Sequence, residues 1–325
     1  MNILSSVRQS RAGCNNAGLV FHPRVEGRRF MFHRSMVLCI LFVGLVVLQL
    51  YAPEVRAHEE PCRTLKEKAD KQKIKDRIVR ADAKVLTTWK KTMMSDGQWS
   101  KESRTIRQEY DIRGNLIRIA AFRSDTLSEQ AAYTYDDDGD LLTDTDLSPT
   151  GELLQSERYV YDSKGRVLSG SAYDGSRRFV SSFVYDYSAD KRSVTFKKFK
   201  ANNRFDYSIE FDYSKDYDIS DYIGAVKKDS AGVPVQRVAI HFDAKGRVAK
   251  KDVMQDGSHL SFTYEYQYGL DDVVSEVTKI LPDGTKELTN RYAINKNGLH
   301  TEMKSFDKEG KLVSVTRYAY EHNKP

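Results

Sequence analysis

Arg158-Tyr159-Val160-Tyr161-Asp162-Ser163-Lys164-Gly165-Arg166-Val167 decides how this chain is read. An aromatic residue and Asp are followed by two variable residues, Gly, one polar residue and an aliphatic one. Asp at the first turn position accepts from a backbone N–H two residues on, and Gly at the fourth takes positive φ, as in a type I turn with a bulge. In that geometry the Asp lies opposite the residue after Gly, and the aromatic faces the aliphatic residue, so Tyr161 meets Val167. The same reading pairs Tyr135 with Leu141, Phe242 with Val248 and Phe306 with Leu312, and a further copy runs from Tyr110 to Leu116. Each aromatic–aliphatic pair contributes about 0.2–1 kcal/mol. The other face carries Asp162 beside Arg166, Asp243 beside Arg247 and Asp307 beside Lys311. One face is apolar and the other charged.

Gly114, Gly139 and Gly165 follow one another at steps of 25 and 26 residues, and Gly284 and Gly310 are 26 apart. A constant period marks a repeat array. A second turn type, Asp-Gly at 96–97, 174–175, 256–257 and 283–284, is a hairpin signal between alternating segments. Further reversals fit 148–151, 229–232 and 295–298, and the degenerate stretch 186–218 has turns at 187–191 and 201–203. Between turns, one parity is apolar: Phe179, Phe183, Tyr185 and Tyr187; Tyr207, Ile209, Phe211 and Tyr213; Phe262, Tyr264, Tyr266 and Tyr268. Period-2 stripes of this kind face a core. The pattern predicts an all-β fold: an antiparallel meander of repeated hairpins over 85–325, reversing roughly every 12–14 residues. Consecutive strands pair, the whole forms a curved or solenoid-like sheet, and a short amino-terminal helix precedes it.

The stretch 158–167 resembles the YD repeat of Rhs-type bacterial surface and toxin-delivery proteins, with weaker matches at 133–141, 240–248 and 317–320. The resemblance spans most of 97–320. It implies hairpins winding into a curved or spiral sheet, often outside the cytoplasm and sometimes with carbohydrate binding. The chain is too short to enclose a large shell, so a delivery cocoon is not implied.

Residues 36–48 form an unbroken apolar run, preceded by Arg24, Arg28, Arg29 and Arg34 and followed by Val55-Arg56-Ala57. Basic, apolar and small-residue segments in that order make a secretory signal peptide cleaved after Ala57. The chain thus divides into 1–57, a signal segment with an upstream extension; 58–84, a basic helical linker; and 85–325, the hairpin domain. Met31 or Met36 is an alternative start. A span needs about 20 apolar residues, and extension to residue 52 keeps the alternative of an inner-membrane anchor over 36–52. Of Cys14, Cys39 and Cys62 only Cys62 survives cleavage, so the mature chain has no intramolecular disulfide. His58-Glu59-Glu60-Pro61 lacks the aliphatic and small residues of a lipidation site before Cys62.

Residues 1–57 hold seven of the 52 basic and two of the 46 acidic side chains, which leaves 45 against 44. That balance does not argue for a nucleic-acid partner, which calls for a clustered basic face, and none is expected. One basic stretch stands out: 63–91 has eleven Lys/Arg and four Asp/Glu, and Leu65, Ala69, Ile74 and Ile78 suit a short amphipathic helix. It reads first as a solvated helix packed on the first strand, and second as a segment drawn to anionic lipid or cell-wall polymer.

Sites are sparse. His58, His241, His259, His300 and His322 have no ligand spacing, and His241 falls on the polar face between Ile240 and Phe242. Asp136, Asp137, Asp138, Asp140, Asp144 and Asp146 form the densest carboxylate group, but the calcium-loop pattern fails at Thr134 and Thr145. No catalytic constellation, cofactor or metal is expected, although a glycosidase carboxylate pair has no sequence spacing that would reveal it. Paired aromatics read first as strand core. Tyr264, Tyr266 and Tyr268 are the candidate ligand-stacking residues, with Tyr266 and Tyr268 expected to remain exposed. The leading function is a non-enzymatic extracytoplasmic scaffold, adhesin or binding surface whose partner is an envelope glycan or surface protein, at the periplasm or cell surface. The alternatives are a carbohydrate- or peptidoglycan-binding protein and an outer-membrane β-barrel, the last opposed by strands such as 195–200 that offer no lipid-facing apolar band.

Overall fold

The computed structural model describes residue 59, residues 61–269 and residues 272–322. The signal segment, Ala57 and the apolar run at 36–52 lie outside the described residues. The chain enters helix α1 (Leu65–Arg80) and then strand β1 (Ala83–Thr92). Hairpin strands follow as β2 (Ser103–Tyr110), β3 (Leu116–Arg123), β4 (Thr126–Tyr135), β5 (Leu141–Leu147), β6 (Leu153–Tyr161) and β7 (Val167–Asp174). Next come β8 (Phe179–Tyr187), β9 (Ser193–Lys200), β10 (Phe205–Tyr213), β11 (Tyr222–Lys228), β12 (Pro234–Phe242) and β13 (Val248–Gln255). The series ends with β14 (His259–Tyr268), β15 (Val274–Ile280), β16 (Lys286–Ile294), β17 (His300–Phe306) and β18 (Leu312–His322).

Each strand pairs antiparallel with its sequence neighbours, and β1 pairs with both β2 and β18. The sheet therefore closes into an 18-stranded barrel, which corrects the expectation of an open curved or solenoid-like sheet. The seam runs from Val85 opposite Glu321 to Thr92 opposite Ser314. The physical cause lies in the turn itself. Each Asp-x-x-Gly reversal leaves a bulge beside its aromatic, as at Thr134/Tyr135, Val160/Tyr161 and His241/Phe242. Bulges bend and twist a sheet, and one in nearly every hairpin adds up to closure.

The turn chemistry follows the sequence closely. Gly165 has φ of +79° and Gly246 of +76°. Asp162 Oδ1 accepts from the backbone N–H of Lys164 (2.9 Å) and of Arg166 (3.0 Å), and Asp243 does the same for Lys245 and Arg247. Tyr135 lies opposite Leu141, Tyr161 opposite Val167, Phe242 opposite Val248 and Phe306 opposite Leu312. The second turn type is corrected at three of its four places. Gly97 and Gly284 close the same four-residue turn from Met94 and Leu281, and at 174–178 the left-handed position is held by Arg177 (φ +61°) rather than Gly175. Only Asp256-Gly257, with φ of +50° and +74°, is a two-residue turn with both centres left-handed.

The apolar stripes point into the barrel. One cluster extends from Leu116 to Val253 and includes Val167, Val194, Phe196, Ile209 and Phe211; a second joins Leu86, Val277, Tyr292, Met303 and Tyr318. Helix α1 starts at Thr64, whose Oγ1 accepts from the Glu67 N–H at 3.2 Å. Sixteen residues make it about 24 Å long. It lies over one end of the barrel, above the turns at Gly114, Gly139, Gly165 and Gly298. At its far end Ile78 and Ala81 pack with Ala83 and Leu299, and His322 Nδ1 meets the Ala81 carbonyl at 2.8 Å.

Candidate functional site

The covered end is built from the repeat's aromatic. The Tyr161 hydroxyl donates to the Leu141 carbonyl at 2.6 Å, Tyr135 to Leu116 at 2.7 Å, Tyr187 to Val167 at 2.7 Å, Tyr268 to Val248 at 2.8 Å and Tyr320 to His300 at 3.0 Å. Each ring thus reaches back to the preceding hairpin. The residue after the turn Gly completes the link: the Arg166 guanidinium lies 4.5 Å from the Tyr187 ring and that of Arg247 4.4 Å from the Tyr268 ring, while both grip their turn carboxylates, Asp162 and Asp243. The sequence showed the tyrosine and the Asp–Arg pair, but not this coupling between hairpins.

Residues Glu59 and Pro61 to Thr64 are buried beneath the helix. The Arg63 guanidinium lies 3.9 Å above the Phe211 ring and 5.5 Å from that of Tyr222, and pairs with Glu67 at 2.5 Å. The Arg63 carbonyl lies 2.7 Å from the Tyr187 hydroxyl, sharing its one proton with the Val167 carbonyl, and the Cys62 carbonyl accepts from the Val167 N–H (3.0 Å). Glu59 pairs with Lys71 at 2.5 Å. Burial pushes the Cys62 thiol up to about 11, which keeps it protonated and a poor nucleophile. The long connection between β10 and β11 seats the start of the helix. Asp218 takes up the Leu65 N–H and the Arg166 guanidinium, and Asp221 pairs with Lys66 at 3.2 Å. The segment read as a basic linker is thus folded against the barrel end.

Tyr264, Tyr266 and Tyr268 all turn toward the interior and are half-buried. Tyr264 and Tyr266 pack against the cluster of Val277, Tyr292 and Met303, and the hydroxyl and ring of Tyr268 are engaged as described. The stripe faces inward as its alternation predicts, so the expectation that Tyr266 and Tyr268 remain exposed is corrected. His241 is on the outer wall with Nε2 2.9 Å from Asp252. His300 is buried 4.8 Å from the Tyr292 ring, and burial, with help from Arg77, lowers its pKa. The carboxylate group splits apart. Asp136 shapes a turn, Asp137 and Asp138 line the helix-side rim, Asp140 pairs with Lys68 at 2.7 Å, and Asp144 and Asp146 are buried on the inner wall. At the position of the repeat equivalent to Asp144, four hairpins on, stands Lys251, which burial pushes down to about 8. Among the described residues no group of His, Cys, Asp or Glu is placed to hold a metal ion, and no helix is long and apolar enough to cross a membrane.

The outer wall is mainly polar, with apolar exceptions such as Val160, 55% exposed, and Val315. Gln267, Glu276, Arg291, Lys304, Val315 and Lys91 are successive cross-strand partners around six strands, and Thr134, Thr143, Arg158, Ser171 and Ser182 do the same around five. One residue along, the inward row reads Tyr266, Val277, Asn290, Ser305 and Ser314.

No family model and no curated protein matches this chain. Among solved structures it is similar to a porin-like protein from Bacteroides uniformis at 10% identity, covering 74% of this chain and 98% of that one with a TM-score of 0.38. A porin-like protein from Bacteroides vulgatus gives 11% identity, 74% and 98% coverage and a TM-score of 0.25. The Photorhabdus luminescens Tc holotoxin pore gives 14% identity and a TM-score of 0.32 over 71% of this chain, which spans 14% of that chain. Likenesses this distant carry no argument, and the barrel rests on its own strand pairing.

Proposed function

We propose that this chain is a non-enzymatic, water-facing barrel of the extracytoplasmic space that serves as a scaffold or binding surface of the cell envelope. The observation that carries the reading is the outward row from Gln267 to Lys91, in which Arg291 bonds Glu276 at 2.7 Å and Lys304 bonds Glu302 at 2.9 Å near mid-strand. A charged side chain on the lipid face of a membrane barrel costs about 2–4 kcal/mol at the midplane, and this wall carries many, while the aromatic residues line the inside. Export rests on the signal layout at 36–57.

A second reading, an outer-membrane β-barrel, is favoured by full closure of an even number of antiparallel strands. Fractionation of cells expressing the full chain separates the two. The scaffold reading expects release by osmotic shock or salt and a soluble protein without detergent. Recovery only with detergent, in the outer-membrane fraction, overturns it in favour of the second reading.

A further inference from the structure

One quadrant of the outer wall breaks the rule that aromatics face inward, and the bulges are the cause. At the covered end Tyr161 and its partner Val167 point inward, and Tyr173 follows Val167 by six residues on the same strand. Six residues would keep one face. Leu168, however, is the extra residue of the bulge beside Tyr161, and it moves Tyr173 to the outer wall. Ala172, 4% exposed, takes the inner side. The open-end rung of β7 to β10 therefore turns its aromatics outward: Tyr173 lies opposite Phe179, and Phe199 opposite Phe205. Phe199 is also the next cross-strand partner of Ser182, in the outward row that passes through Arg158 and Ser171.

The rings form two edge-to-face pairs, Tyr173 with Phe179 at 6.1 Å and Phe199 with Phe205 at 6.0 Å. Phe179 is 38% exposed, and Val180, the extra residue of its bulge, is 42% exposed. The tips of these two hairpins are basic. Arg177, Arg178, Lys200 and Arg204 are all exposed and stand against Asp174 and Asp206. No other turn at the open end holds more cations than carboxylates. Toward the middle of the barrel, Lys197, paired with Asp186 at 2.6 Å, ends the aromatic surface one rung in.

We propose that this quadrant seats the barrel on an anionic phospholipid surface, with the rings at headgroup level and the basic tips on lipid phosphates. Aromatic side chains favour the bilayer interface, and each Lys or Arg held near an anionic leaflet strengthens attachment roughly fivefold. Small-molecule sites are concave, whereas this surface is the convex outside of a barrel and offers a stacked sugar no enclosing walls. A hydrocarbon core is about 30 Å thick. An apolar surface one rung deep reaches only its boundary, so the contact is peripheral and yields to salt. The inference rests on the water-facing reading above and gives that envelope protein its place of attachment.

Full chain extracted from the envelope without detergent is sedimented with two kinds of vesicle. One is three parts phosphatidylethanolamine to one of phosphatidylglycerol, and the other is neutral phosphatidylcholine. Binding is expected to be at least tenfold tighter to the anionic vesicles and to fall at least tenfold in about 0.5 M salt. Arg177→Gln combined with Arg204→Gln, both at exposed tips, is expected to weaken it at least tenfold. Phe179→Ser is expected to weaken it severalfold; should that variant fail to fold, the arginine pair carries the test. Parent and variants share one amino terminus, so a difference between them belongs to this surface. Equal binding to the two vesicles, binding to neither, or arginine variants that bind like the parent overturn the proposal. Capture of a soluble envelope glycan that is lost on Phe179→Ser, with vesicles left unbound, also overturns it and assigns the surface to carbohydrate. A soluble protein that ignores vesicles removes this surface alone, whereas recovery only with detergent removes the reading beneath it.

Discussion

The two ends of the barrel are made from the same turn and meet different fates. Gly114 and Gly310 both sit at φ +77° in a four-residue reversal opened by Asp. At the open end, which no described residue covers, the space around Gly97, Gly151, Gly232, Gly284 and Gly310 is empty. At the other end, Gly114, Gly139, Gly165 and Gly298 lie under α1, and a Cβ on Gly114 would meet the Lys75 carbonyl oxygen at 2.7 Å. Repetition specifies the turn; the segment ahead of the repeats decides which end is closed. The array alone is nearly symmetric end to end, and the helix breaks that symmetry.

The largest test of this contrast is the buried cation. Arg63→Met removes the charge that lies over Phe211 and leaves Glu67 buried, which is expected to cost about 3–5 kcal/mol. Arg178→Met at the open end, where the arginine side chain is 78% exposed, is expected to cost about 0–1 kcal/mol. Urea unfolding of both variants gives the comparison, and equal midpoints would break it.

A smaller effect is expected from the glycines. Gly114→Ala and Gly310→Ala share the left-handed strain of about 1–2 kcal/mol. Gly114→Ala adds a collision with helix backbone, a further about 1–3 kcal/mol. If the two variants melt together, α1 does not rest on that turn in solution.

The smallest effect concerns pH. The pKa of His300 is lowered by burial and by nearby Arg77, so the unfolded chain takes up its proton first as pH falls. Its contribution to stability is complete above the unfolded value of about 6.5 and is lost as pH drops toward the folded value. Below pH 6.5 the amide protection factors in α1, taken relative to intrinsic exchange rates, should fall more than those at the open-end turns. His300→Gln should flatten that difference; an unchanged slope would place the sensitivity elsewhere.

What could be read from sequence was local. Asp162 and Gly165 announce their turn because side-chain acceptance and positive φ are settled within five residues. At 187–191 and 174–175 the reversal was legible although Lys191 and Arg177 take the left-handed position in place of glycine, and Ser124-Asp125, where both residues take it, went unmarked. Closure was not legible, because Leu86 and Tyr320 carry no mark of one another and their pairing depends on curvature summed over the bulges. The alternation at 262–268 shows that Tyr266 faces the core, but not how fully the closed barrel engages it. Nothing in the sequence marks Asn115 as buried; the helix laid over its turn makes it so.

The seam between β1 and β18 has a consequence for assembly. Thr88 and Tyr318 are cross-strand partners, so the first strand waits for the last, with almost the whole array between them. Sheets dominated by such distant pairings fold slowly, and until the ring shuts, both flanks offer unpaired backbone to any other extended chain. If export delivers the protein from its amino terminus, β1 emerges early and stands unprotected until residue 322 has followed. The most vulnerable moment in the life of this barrel is therefore its birth, when both strand edges stand open to any other extended chain.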